Sequence, residues 1–194
     1  MRDASSTNDL TERLKPAIMT LRIIVMALTT GVVAFAITAI VIRRQQAAAP
    51  ANDADGLLTT LGIAAVPVAF LLSRFLPGIF VAKARGQIAS GQFGFPSESN
   101  LAQTGGPQSS LVQLGDDGKL FTVYQTNTII SAALLDGAAF LNIVAFLLGG
   151  SLIALGLGLL LALAIVAMFP RVSRVVEWIE AQRRLMAEEK LLAR

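Results

Sequence analysis

The chain has 194 residues, of which 54% are hydrophobic and 15% charged, and its formal net charge is +3. An ordinary soluble domain is roughly a quarter charged, so this composition excludes a disordered chain and predicts an integral membrane protein. The sequence contains no cysteine and no histidine, which excludes disulfides, thiolate nucleophiles, histidine bases and the usual zinc sites. We therefore expect no catalytic residues, no cofactor and no metal centre.

The first segment, residues 1–17, is a polar N-terminal tail. Asp9 and Glu12 are spaced like a helix capping box, and Pro16 is a residue type that opens helices. A frayed tail is the favoured interpretation of this segment, and a capped helix start is the alternative.

Four segments are long and apolar enough to cross a bilayer, which takes roughly 20 residues of helix. They cover residues 18–42, 57–81, 128–148 and 152–169. The sequence thus predicts an all-α polytopic protein with four transmembrane helices in a domain covering residues 18–169. Prolines are tolerated inside membrane helices, so we expect a kink at Pro67 and an early helix end at Pro77.

The first apolar segment has an alternative interpretation as a cleaved signal peptide, because QAAAPA follows it. Its apolar stretch, residues 23–42, is longer than the roughly 7–15 residues of a signal sequence. Arg43 and Arg44 also separate it from the alanines. A spanning helix is the better interpretation.

The connection between the third and fourth segments is only Gly149, Gly150 and Ser151. Such a short link predicts a tight antiparallel hairpin, and it places Asp136 level with about Ala164. Small residues along the fourth segment favour close packing.

Lysine and arginine residues are distributed unevenly between the two sides of the predicted spans. Twelve lie in the N-terminal tail, the loop of residues 83–126 and the C-terminal tail, and only Arg43 and Arg44 lie on the opposite side. Because cytoplasmic segments are enriched in lysine and arginine, we expect both termini and this loop in the cytoplasm. Arg43 and Arg44 are the feature that argues against this orientation.

The long loop, residues 83–126, is rich in glycine, serine, glutamine and proline and is predicted to be flexible. GDDG at residues 115–118 indicates a turn. Either a small hairpin forms around it, or Lys119 already begins the third helix and Tyr124 lies at the membrane interface. The glycines lack the spacing of phosphate-binding motifs.

The C-terminal segment, residues 170–194, is predicted to form a basic amphipathic helix. Its apolar positions with helical spacing are Val172, Val175, Val176 and Ile179. Trp178, Arg171 and Arg174 are typical of an interfacial anchor on the inner leaflet. The competing interpretation is a solvated helix that contacts a partner. Neither implies nucleic-acid binding.

Asp136 and Arg74 are the charges that lie deepest in the predicted spans. Each is eight residues from a predicted cytoplasmic boundary, which is a depth of roughly 12 Å. Intramembrane charges are normally paired, neutralised or functional, so we hypothesise an ion pair between them. The alternatives are that Arg74 snorkels to the headgroups, or that Asp136 is a neutral acid bonded to Thr29, Thr30 or Thr59.

The remaining polar residues of the spans have structural interpretations. Ser131 and Asn142 are eleven residues apart, and therefore share one helix face that does not carry Asp136. Hydrogen bonds between helices explain this pair. Arg22 is one turn inside the first span, where snorkelling is expected.

The segment NTIISAALLDGAAFLNIVAFLL resembles the acid-bearing helix of rotary ATP synthase c subunits. The resemblance covers about 22 residues and implies a proton- or sodium-binding role for Asp136 alone. The chain departs from that family because its glycine-bearing helix, with Gly156 and Gly158, follows the acid helix, and because the loop before the acid helix is long.

The segment from VYQTNTIISAALLDGAAF through the hairpin to FPRVSRVVEWIE resembles a set of uncharacterised bacterial four-helix membrane proteins. This resemblance covers residues 123–180, and glutamate is usual there at the position of Asp136. It implies a location in a bacterial inner membrane and no known activity.

The sequence is compatible with three functions. A structural or accessory membrane subunit, associated with other subunits or with itself in the lipid bilayer, is favoured. The alternative is an oligomeric proton or cation conductor that uses Asp136. A membrane enzyme would need Asp116, Asp117 and Asp136 to act together, and Asp136 is predicted to lie too deep for that.

Overall fold

The computed structural model describes residues 4–45, 53–93, 111 and 114–192, and these form an all-α protein without strands. The predicted outer connection around residues 46–52 and most of the predicted flexible loop, residues 94–110, lie outside the described residues. The five helices are α1 (Ala4–Gln45), α2 (Asp53–Ala89), α3 (Asp116–Gly149), α4 (Leu152–Ala167) and α5 (Val172–Leu192).

Three helices, α1, α2 and α3, are long and apolar enough to cross a membrane. Each continues beyond its predicted span, because the helical backbone extends through polar sequence at one end. α1 begins at Ala4, so the expected frayed tail is wrong from Ala4 onward, and positions 9 and 12 lie inside a helix and not at its start. The early end expected at Pro77 is wrong, because α2 continues to Ala89. A proline removes one backbone donor, which a membrane helix tolerates.

The fourth apolar segment is shorter than predicted. α4 has 16 residues, a length of about 24 Å, and the chain then bends by 70° into α5. Ser151 caps its first turn by accepting a hydrogen bond from the backbone N–H of Ala154. The described residues therefore contain three helices of spanning length, or four if the bent pair counts as one span.

The chain divides into two compact units. The basic unit comprises Met1–Arg22, Pro77–Thr128 and Pro170–Arg194, and the apolar unit comprises Ile23–Leu76 and Ile129–Phe169. The apolar unit thus contains the middle of each predicted span, whereas the basic unit collects the tails and the loop that carry most lysines and arginines.

The apolar unit is packed through small side chains. Ala132, Ala139 and Ala154 are completely buried. At Gly158 of α4, an added Cβ would lie 3.0 Å from Cγ1 of Ile143 and 3.2 Å from the carbonyl oxygen of Ala139. α3 and α4 therefore meet backbone to backbone, as the predicted small residues of the fourth segment favour.

The basic unit has its own hydrophobic core of larger side chains. Its members from four helices include Leu14, Ile88, Phe121, Val175 and Ile179. Two ion pairs attach α5 to this unit, Arg85 with Glu189 and Arg183 with Asp117. α3 begins at Asp116, so the second interpretation of the GDDG turn, early entry into the third helix, is the one observed.

We expect replacement of Gly158 by leucine to separate α3 from α4, because Ile143 and the Ala139 backbone occupy the space that the new side chain requires. The matched control is Gly156→Leu, two residues away on α4, where an added Cβ meets nothing within 4 Å. Unfolding in mild detergent with increasing dodecyl sulfate measures both. Equal stability of the two variants would contradict the close contact.

Candidate functional site

The polar side chains of α3 in the apolar unit are Ser131, Asp136 and Asn142. Ser131 Oγ donates a hydrogen bond to the carbonyl of Ser73 at 3.2 Å, and Asn142 Nδ2 donates to the carbonyl of Gly62 at 2.9 Å. The two donors are eleven residues apart on α3, and the two acceptors are eleven residues apart on α2. The predicted hydrogen bonding between helices is confirmed, and it fixes an antiparallel register of α2 on α3.

Asn142 is the most buried polar group of this contact, with no exposed surface. Its Nδ2 also donates to Ala138 of its own helix, whereas its Oδ1 has no hydrogen-bond partner. Gly62 packs directly on it, since an added Cβ would lie 3.2 Å from Oδ1. Sequence reasoning missed Gly62, although glycine in a membrane helix is itself a sign of close helix approach.

Arg43 holds the C-terminal end of α3. Its Nη1 donates to the carbonyl of Leu148 at 3.1 Å, one of the last carbonyls of a helix, which lack a partner within it. Gly150 follows with φ +72°, and an added Cβ there would contact the Arg43 guanidinium. The basic residue that argued against the predicted orientation thus has a structural role.

Arg22 has a similar role in the basic unit. Its Nε donates to the carbonyl of Pro170 at 3.0 Å, in the break between α4 and α5 where the backbone is not helical. The expectation that Arg22 merely snorkels is therefore corrected: an unsatisfied carbonyl is within its reach. Arg22 and Arg43 are 21 residues apart on α1, about 32 Å, close to the thickness of a bilayer's hydrocarbon core.

Asp136 is half-buried, and its Oδ1 is enclosed without a hydrogen-bond partner. It lies one turn before Phe140, whose ring packs on Phe35 of α1 at a centroid distance of 5.1 Å. The Thr29 hydroxyl, one of its expected partners, donates instead to the carbonyl of Val25. Among the described residues, Asp136 therefore has one enclosed carboxyl oxygen that receives no hydrogen bond.

Arg74 is exposed, and the ion pairs of the described residues do not include one between Arg74 and Asp136. The register explains why, because Ser73 lies level with Ser131. Arg74 is then displaced from Asp136 by about six residues along the helices, roughly 9 Å. The predicted equal depth was counted from a helix end at residue 81, whereas α2 continues to Ala89.

The helix that was predicted to carry the interfacial anchor has one face in the core of the basic unit and another at the surface. Val175, Val176 and Ile179 of α5 are buried within the basic unit, so this face is not available to lie in lipid. Trp178 is half-buried and packs on Tyr124 at 5.3 Å. Arg171 and Arg174 remain exposed.

No protein-family model matches the chain, and neither a curated protein nor a solved structure matches it.

We expect Asn142→Leu to destabilise the protein by about 1–2 kcal/mol, the range for hydrogen bonds between membrane helices, because the α2 contact loses its central donor. Asp136→Asn is nearly isosteric and removes no observed hydrogen bond, so its stability should remain close to that of the parent. Unfolding in mixed micelles compares the two. A larger loss for Asp136→Asn would show that Asp136, and not Asn142, holds the helices.

Proposed function

We propose that the protein is a multi-pass membrane subunit without catalysis, which associates through α2 with another membrane protein. The observation that carries this proposal is Arg74, an exposed cation on the least buried of the three long apolar helices. Only 11% of the most apolar stretch of α2 is buried, compared with 50% for α3.

The surface around Arg74 is apolar. Phe70, Leu71 and Phe75 are 56%, 52% and 65% exposed. Lipid alone covers such side chains at no cost, but a charged arginine in the same position costs roughly 2.5–3.5 kcal/mol on insertion scales. A partner helix that supplies a carboxylate at this level removes that cost and forms a charge-assisted hydrogen bond.

The partner is therefore identified by its chemistry: a transmembrane helix that carries an aspartate or glutamate. Asp136 does not serve this purpose within one chain, because the α2–α3 register separates the two groups. The same register leaves the Arg74 side of α2 open to a neighbour.

Photo-crosslinking in the native membrane tests this association. A benzophenone amino acid at Phe75, adjacent to Arg74, is expected to give one protein adduct of defined mass. The matched control is the same probe at Leu160 of α4, which is 58% exposed and is expected to give none. Arg74→Gln should remove the adduct at position 75.

Several outcomes would contradict the association. Equal crosslinking from positions 75 and 160, or an adduct that survives Arg74→Gln, would mean that α2 has no specific partner. The absence of any protein adduct would mean that Arg74 reaches the lipid headgroups instead.

We further propose four spans, with both termini and residues 83–126 in the cytoplasm of a bacterial inner membrane. The uneven distribution of lysine and arginine supports this orientation. The hydrogen bond of Arg43 at the end of α3 gives one of the two arginines on the opposite side a structural reason to be there. α4 followed by the bend at Pro170 supports a fourth, short crossing that forms a hairpin with α3.

Single cysteines in this naturally cysteine-free chain test the topology with a membrane-impermeant maleimide. Ser90→Cys, after α2, should be labelled only after the membrane is permeabilised, whereas Gln45→Cys should be labelled in intact spheroplasts. Glu188→Cys decides the fourth crossing: it behaves like Ser90→Cys if α4 crosses, and like Gln45→Cys if it does not. Reversed labelling of positions 45 and 90 would overturn the orientation.

A second candidate function is an oligomeric proton or cation conductor, and the enclosed, unpartnered Oδ1 of Asp136 favours it. One carboxylate per chain makes a poor complete pathway, so this function requires several copies around a common path. The crosslinking experiment separates the candidates, since a second copy of this chain as the sole partner would favour the conductor.

A further inference from the structure

Three arginines lie at or beside the residues that lead into α5. Arg22 bonds the carbonyl of Pro170 at 3.0 Å, Arg171 is the next residue, and Arg174 lies one helical turn further on. We refer to Arg22, Arg171 and Arg174 as the arginine corner. All three belong to the basic unit.

Among the described residues, Arg171 and Arg174 of α5 form no ion pair. Both are exposed. Glu177, one turn beyond Arg174, is exposed and forms no ion pair with it. The half-buried Asp117, by contrast, is bonded to Arg183. Exposed arginines that form no ion pair, even with the neighbouring Glu177, favour binding of an anion from outside the described residues.

The position of the arginine corner along the chain indicates where that anion comes from. α4 is an uncharged apolar helix that ends at Ala167. Met168, Phe169 and Pro170 separate it from Arg171. A basic group directly after an apolar membrane helix lies at the level of the headgroups. Tyr124 and Trp178 are also typical of this level, and Arg174 is near enough to Tyr124 to act on it electrostatically.

We propose that the arginine corner binds the phosphate of an anionic phospholipid from the adjacent leaflet. Guanidinium groups match phosphate oxygens with paired hydrogen bonds, which a point charge does not. Arg22 adds its charge while it bonds Pro170, which keeps it beside the residue that precedes Arg171. The proposal rests on membrane embedding and is independent of the partner of α2.

Native mass spectrometry of the full-length protein, delipidated in mild detergent, tests this site. Added dioleoylphosphatidylglycerol should form one tightly bound adduct, whereas dioleoylphosphatidylcholine should bind weakly. Each basic residue near an anionic surface contributes about fivefold in affinity. We therefore expect about fivefold weaker binding for Arg174→Gln and about 25-fold for Arg171→Gln combined with Arg174→Gln.

The matched control is Arg184→Gln, an exposed arginine on the same helix with the same change of charge, which should bind like the parent. Equal weakening by Arg174→Gln and Arg184→Gln would overturn the site in favour of diffuse attraction. Equal affinity for phosphatidylcholine would also overturn it, and competition by glycerol 3-phosphate at similar concentration would assign a soluble anion instead. Circular dichroism confirms folding, and the single variants decide the result if the double variant does not fold.

Discussion

A carbonyl group at the end of a helix needs a donor, and in an apolar environment water does not supply one. In this protein α1 supplies two donors, Arg43 to Leu148 at the end of α3 and Arg22 to Pro170 after α4. Both arginines lie near the limits of a stretch of α1 that is about as long as a bilayer's hydrocarbon core is thick. The short links after α3 and α4 leave the carbonyls of Leu148 and Pro170 without partners inside a helix. The two arginines supply donors to these carbonyls.

The second constraint is the shortage of polar groups that join the helices. α2 is attached to α3 by Ser131 and Asn142, whose acceptors are backbone carbonyls. Such bonds need close backbones, which Gly62 provides. Since lipid solvates apolar side chains as well as protein does, packing and these few hydrogen bonds decide which helices associate. Arg74 and the Oδ1 of Asp136 take no part in these hydrogen bonds, and both proposed functions depend on one of them.

The arginines of the basic unit that contact or belong to α5 fall into two groups, those in ion pairs and those that are exposed. Arg85 and Arg183 hold α5 through Glu189 and Asp117, whereas Arg171 and Arg174 face outward without ion pairs among the described residues. The apolar face of α5 packs into the hydrophobic core that contains Phe121. The outward surface of α5 near its start is therefore charged, whereas its apolar residues there are buried.

The sequence by itself determined the all-α class, the approximate apolar segments and the common face of Ser131 and Asn142, because these follow from composition and helical periodicity. Hydropathy indicates which segments are apolar and not where a helix ends. The helix end expected at Pro77 was therefore wrong, and so was the equal level expected for Arg74 and Asp136. Only the tertiary structure decided the register of α2 on α3, the capping roles of Arg22 and Arg43, and the burial of the apolar face of α5. Each depends on which residue of a distant segment lies alongside, and local sequence carries no record of that.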